Sequence, residues 1–132
     1  MLRECDAALM IGDPALASDF PGMRVCDLAE EWRAMTGLPF VFAFWAVRAE
    51  AATPDLIQPF QESAAYSFAH LDEITRSETA RTGLPESLVR SYLTENIDFT
   101  FGEQNCEGLR RFFALAHEYG LTNGAGPLHF IG

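Results

Sequence analysis

At 132 residues, with 48% apolar and 21% charged, the chain has the length and composition of a single globular domain, not a disordered one. Nineteen acidic residues against nine basic ones leave a formal charge of −10, with no Lys/Arg-rich run to neutralise phosphates. Those numbers exclude a typical nucleic-acid binder and weigh against docking on an anionic membrane surface.

Cys5, Cys26 and Cys106 are odd in number and lack C-x-x-C spacing, so they read as small buried hydrophobes in a reducing compartment. A disulfide framework or a zinc site is not expected. No stretch is apolar for long enough to span a bilayer, and Met1–Asp6 has no apolar segment after it of the kind that marks a signal peptide. A cytoplasmic location is the expectation.

In chain order, the continuous apolar run at 7–11 predicts a strand buried on both faces, closing at Gly12-Asp13-Pro14 where a helix can begin. Ser18–Gly22 reads as a loop. Asp27-Leu28-Ala29-Glu30 has capping-box spacing with Asp in the capping position, so a helix starts there. Leu28, Trp32 and Met35 share its inner face, and Gly37 with Pro39 ends it. Residues 40–47, Phe-Val-Phe-Ala-Phe-Trp-Ala-Val, predict a second strand, which must be central or covered because such a run would aggregate at an edge.

Thr53-Pro54-Asp55 predicts a cap with proline at the first helical position. Phe60, Ala64, Phe68, Leu71 and Ile74 then recur at helical spacing, with a kink or restart expected at Pro59. Gly83-Leu84-Pro85 breaks that pattern, and Leu88, Val89, Tyr92 and Leu93 mark a shorter helix. Ile97, Phe99 and Phe101 alternate with polar residues, as either a short strand or an extended link. A last helix over about Glu103–Tyr119 is expected to bury Leu109, Phe112, Phe113 and Ala116, with Gly120 capping it and a loop-like tail following. The order strand, helix, strand and then mostly helix supplies few strands for the helices that must cover them. The chain therefore reads as part of something larger.

Few residues carry recognisable chemistry. There is no G-x-S-x-G elbow, no phosphate-cradling loop and no His/Asp/Glu cluster at metal-ligand spacing. His70 and His117 read as partly exposed surface residues on helices. Gly12-Asp13 remains, with two competing readings. In one, Asp13 is an N-cap with Pro14 at the first helical position. In the other, Gly12 lets a ligand approach closely and Asp13 contacts it or exchanges a proton with it. As a base, Asp13 would act ionised, whereas acting as an acid would require burial.

Three blocks then go beyond periodicity: Asp6-Ala7-Ala8-Leu9-Met10-Ile11-Gly12-Asp13-Pro14-Ala15-Leu16, Asp27-Leu28-Ala29-Glu30-Glu31-Trp32, and Thr36-Gly37-Leu38-Pro39 running on to Ala46. In order and spacing they closely resemble the chorismate dehydratase family of the futalosine route to menaquinone. Glu107–Phe113 and Gly126–Phe130 are similar to that family's C-terminus. The resemblance implies an α/β chain, the C-terminal portion of a type II periplasmic-binding-protein-like two-lobe fold. Residues 1–37 would end the second lobe, and 38–132 would hold the hinge-crossing strand and helices rejoining the first lobe. The N-terminal lobe would be absent, with Met1 an internal start or an imposed boundary.

The implied activity is loss of water from chorismate to give 3-[(1-carboxyvinyl)oxy]benzoate, with no metal or organic cofactor. The implied site is Ile11, Gly12, Asp13 and Ala15 against substrate, with Asp13 as the catalytic candidate. Basic residues are few, so the substrate carboxylates are expected to be held by N–H groups and hydroxyls of the absent lobe. That lobe, or self-association, is expected to cover the exposed interface. A related enzyme of the same pathway carries a histidine about where Gly12 stands and an acidic residue in place of Asp13, so glycine favours the dehydratase. The competing reading is a non-catalytic module binding small anionic solutes.

Overall fold

A computed structural model describes residues 5–124 and 126–131. In chain order it contains α1 (Asp13–Ala17), α2 (Leu28–Thr36), 3-10 turns at Ala49–Ala51 and Pro54–Leu56, and α3 (Ile57–Ala69). There follow α4 (Leu71–Thr82), α5 (Glu86–Ser91), a π-helical turn at Tyr92–Asn96 and α6 (Glu103–Glu118). Among the described residues no helix is long and apolar enough to cross a membrane.

The expected α/β architecture, the C-terminal portion of a type II periplasmic-binding-protein-like fold, is overturned: the described residues are helical and contain no strand or sheet. Neither 7–11 nor 40–47 is a strand, and no backbone–backbone hydrogen bond among the described residues engages either segment. An apolar run reports a tendency to bury, but a strand exists only when a second segment takes its N–H and C=O groups. Nor is the second run covered, since Phe42 is 70% and Trp45 82% exposed. The 97–101 stretch is a link without regular structure.

The helices follow their local signals closely. The Asp27 carboxylate accepts from the N–H groups of Ala29 (2.8 Å) and Glu30 (3.2 Å), satisfying donors that the first turn of α2 leaves open. Its inner face is narrower than the spacing suggests: Trp32 is buried, while Leu28 and Met35 are exposed. The restart expected near Pro59 occurs at Ile57, which places Pro59 in the first turn of α3, where a missing N–H costs no helical bond. The face running from Phe60 to Ile74 is divided at His70 between α3 and α4. In α6, Leu109 and Ala116 are buried and Phe113 half-buried, but Phe112 is exposed. Cys5 and Cys26 are exposed rather than buried, Cys106 is half-buried, and all three are free.

Both α2 and α4 stop by the same four-residue device, Thr-Gly-Leu-Pro at 36–39 and again at 82–85. Each threonine hydroxyl donates to the carbonyl four residues back, Thr36 to Trp32 (2.8 Å) and Thr82 to Glu78 (2.6 Å). The same hydroxyl oxygens accept from the N–H of Leu38 (3.1 Å) and Leu84 (3.2 Å). Gly37 and Gly83 sit at φ +73° and donate to the carbonyls of Arg33 and Thr79, so carbonyls of the last turns are satisfied as in an αL cap.

The chain divides into two compact units. One joins the residues up to Val25 to Leu71–Asn96. Its core is small: Thr75, Leu84 and Val89 are buried, and the Thr75 hydroxyl is satisfied by donating to the Leu71 carbonyl at 2.7 Å. An Arg90–Asp72 ion pair links α5 to α4.

The other unit joins Cys26–His70 to the residues from Ile97 on. Its core is Trp32 with Leu109 and Ala116 of α6. Edge-to-face aromatic contacts surround it, Trp32 to Phe40 and to Phe112 at 5.9 Å each, and Phe40 to Phe112 at 5.7 Å. The Trp32 indole N–H donates to the Pro39 carbonyl at 3.2 Å. That carbonyl lies directly over Gly108, where a Cβ would stand only 2.3 Å from the oxygen. Glycine is what lets the 38–39 backbone settle on α6.

Candidate active site

The turn at 11–15 lies in the first unit. Gly12 has φ 67° and ψ −156°, a combination essentially reserved for glycine, and a Cβ there would meet no atom within 4 Å. Within the chain itself the requirement for glycine is therefore conformational and not a matter of space. The Gly12 carbonyl accepts from the N–H groups of Ala15 (2.9 Å) and Leu16 (3.3 Å), which starts the short α1.

Gly12, and not Asp13, occupies the capping position; Asp13 is the first helical residue and Pro14 the second. No side-chain hydrogen bond caps α1. The Asp13 carboxylate is instead taken by Arg81, whose Nη2 donates to Oδ2 at 3.1 Å across 68 residues of sequence. Glu78, one turn earlier on α4, accepts through Oε2 from Nε (2.8 Å) and Nη2 (2.6 Å) of the same guanidinium. These bonds, Glu78 first and Asp13 second, raise the guanidinium further above its already high ordinary pKa. The Asp13 and Arg81 side chains are 54% and 59% exposed. A pair this wet is worth little as a stabilising contact, so its interest lies in where it holds the carboxylate.

Of the other residues expected at the site, Ile11 and Gly12 are exposed and Ala15 is half-buried, all on this one turn. Sequence reading missed Arg81 and Glu78. The i,i+3 spacing of that pair on a helix is visible in the sequence, but nothing local connects it to Asp13. The two histidines expected on helices belong to the other unit: His70, which follows α3, stacks on Tyr66 and its Nδ1 lies 2.8 Å from the Tyr66 carbonyl, while His117 of α6 is exposed. Among the described residues no three His, Cys, Asp or Glu side chains converge as metal ligands. In the second unit a concavity of about 390 Å³ is lined by Met35, Thr36, Leu38, Arg111, Leu115, Glu118 and Tyr119. It holds none of the residues expected at the site.

The profile of a family described as menaquinone biosynthesis matches residues 1–118, a span that includes the turn. The chorismate dehydratase of Thermus thermophilus is 32% identical over 130 aligned residues, covering 85% of this chain. The chain spans about half, 48%, of that relative's length. No solved structure matches. With most of its length matched, and the resemblance read from its sequence blocks supported, the chain belongs to the menaquinone biosynthesis family that includes chorismate dehydratase.

Proposed function

We propose that the chain serves the dehydration of chorismate to 3-[(1-carboxyvinyl)oxy]benzoate, a carbon–oxygen lyase step in cytoplasmic menaquinone biosynthesis. The observation that carries this reading is the 32% identity to a chorismate dehydratase across 85% of the chain. The chemistry asks for a base beside a ring C–H bond and for groups that orient a dianionic substrate. Asp13 is the base in this reading. Its carboxylate takes the ring proton, the C–H electron pair becomes ring unsaturation, and the neighbouring hydroxyl leaves as hydroxide. Proton and hydroxide together make up the one water lost, and aromatisation drives the step. Ile11, Gly12 and Ala15 form the surface on which the ring rests, with Gly12 permitting close approach. The substrate carboxylates and the uncovered aromatic run at 40–47 call for further polypeptide, either the remainder of a family-length protein or a second copy.

The test is to incubate the chain, alone and completed with the further polypeptide of a family-length protein, with chorismate and follow the aromatic product by absorbance and chromatography. Turnover that falls several hundred-fold in Asp13→Asn, with the fold intact, supports the reading. Product formation unchanged by that substitution removes Asp13 from the chemistry. A second reading, a module that binds small anions without converting them, is favoured by the exposure of the Asp13 carboxylate, since water is not excluded around it. Saturable chorismate binding with no product would establish it.

A further inference from the structure

We infer that Arg81 is the positioning residue for Asp13, holding one carboxylate oxygen so that the other is presented to the substrate; this rests on the reading of Asp13 as the base. An aspartate in the capping position of a helix turns an oxygen back to the open N–H groups of the first turn, but here Gly12 holds that position. Asp13, one residue further on, has its carboxylate uncommitted to the first turn, and Oδ2 goes to Arg81. Among the described residues Oδ1 has no hydrogen-bond partner, so it is the oxygen free to take a proton.

Glu78 makes Arg81 suited to this work. Two donors of the guanidinium, Nε and Nη2, converge on Oε2 of Glu78, which fixes the guanidinium plane against its own helix. Nη2 has two hydrogens and can serve both carboxylates while Nε also holds Glu78, a planar fork that the single ammonium of lysine does not reproduce. The Arg81–Asp13 bond is also the one side-chain hydrogen bond, among the described residues, between the N-terminal segment of this unit and its helices α4 and α5. A merely structural tie and a positioning role therefore predict different things. Loss of a tie loosens the turn and weakens everything on it, substrate affinity included. Loss of positioning lowers turnover while leaving affinity alone.

The experiment compares wild type with Arg81→Gln, Arg81→Lys and the control Arg76→Gln, whose native side chain bonds only the Asp72 carbonyl of its own helix. Turnover of chorismate is measured alongside the carbon-13 resonance of the Asp13 side-chain carboxylate. The expected result is a kcat lowered at least tenfold in Arg81→Gln with KM within twofold, a smaller fall in Arg81→Lys, and no change in Arg76→Gln. The Asp13 resonance should move in both Arg81 variants and stay in place in the control. If wild type turns over and Arg81→Gln matches its kcat, the inference is overturned and the proposed function stands. If KM rises as kcat falls, the tie is structural and the inference is overturned. If wild type forms no product even when completed with the further polypeptide of a family-length protein, the proposed function falls, and the resonance decides alone: an Asp13 signal unmoved by Arg81→Gln overturns the inference.

Discussion

Gly108→Ala tests the closest approach in the second unit. The added methyl would stand 2.3 Å from the Pro39 carbonyl oxygen and 3.5 Å from its carbon. The first distance is about an ångström inside ordinary contact, and the atom in the way is backbone, which cannot swing aside as a side-chain end can. Replacing glycine by alanine within a helix would by itself gain about 1 kcal/mol. Overpacking of a closed site costs about 1–3 kcal/mol. The displaced carbonyl is also the acceptor for the Trp32 indole N–H, a bond worth about 0.5–1.5 kcal/mol whose loss leaves a donor in the core. The balance is a net destabilisation of about 1–3 kcal/mol. Urea unfolding followed by tryptophan emission would read it, with a lowered midpoint and an unchanged slope. Because Gly108→Ala and Trp32→Phe act on the same carbonyl, their effects should combine to less than their sum. A Gly108→Ala protein as stable as wild type, or more stable by its helical gain, would refute the reasoning.

The paired helix stops give a second prediction. Thr36→Val and Thr82→Val each remove a hydroxyl that both donates and accepts. Each should cost about 1–2 kcal/mol in thermal or urea unfolding, with serine at either position retaining most of the stability; equal stability of the valine variants would count against the device. A third prediction concerns acid. The Thr100 hydroxyl and its backbone N–H, at 2.8 Å, hold the Asp98 carboxyl below its ordinary 3.8. A carboxyl lowered in the folded state stabilises above its unfolded value and loses that contribution as pH falls through the folded one. The difference in unfolding midpoint between wild type and Asp98→Asn should therefore be constant above about pH 5 and shrink below about pH 4. A difference that does not vary with pH would sink the assignment.

What could be read directly from the sequence was local. Asp27 at its cap, Gly37 and Gly83 at their stops and Pro59 near a helix start describe bonds that a helix closes within a few residues, so neighbouring side chains suffice to decide them. Family membership was legible for a similar reason, since ordered blocks of residues can be recognised without knowing what they touch. The tertiary structure decided everything that depends on a distant partner. Residues 7–11 and 40–47 have strand-like composition, yet strands need backbone partners from elsewhere, and none is present among the described residues. The fit of Gly108 beneath Pro39 depends on how α6 meets a loop about seventy residues earlier, which spacing does not encode. The turn at Gly12-Asp13 shows the division most clearly. Its glycine follows from backbone geometry, but the direction of the Asp13 carboxylate was set by Arg81 and Glu78, a helix that only folding brings alongside.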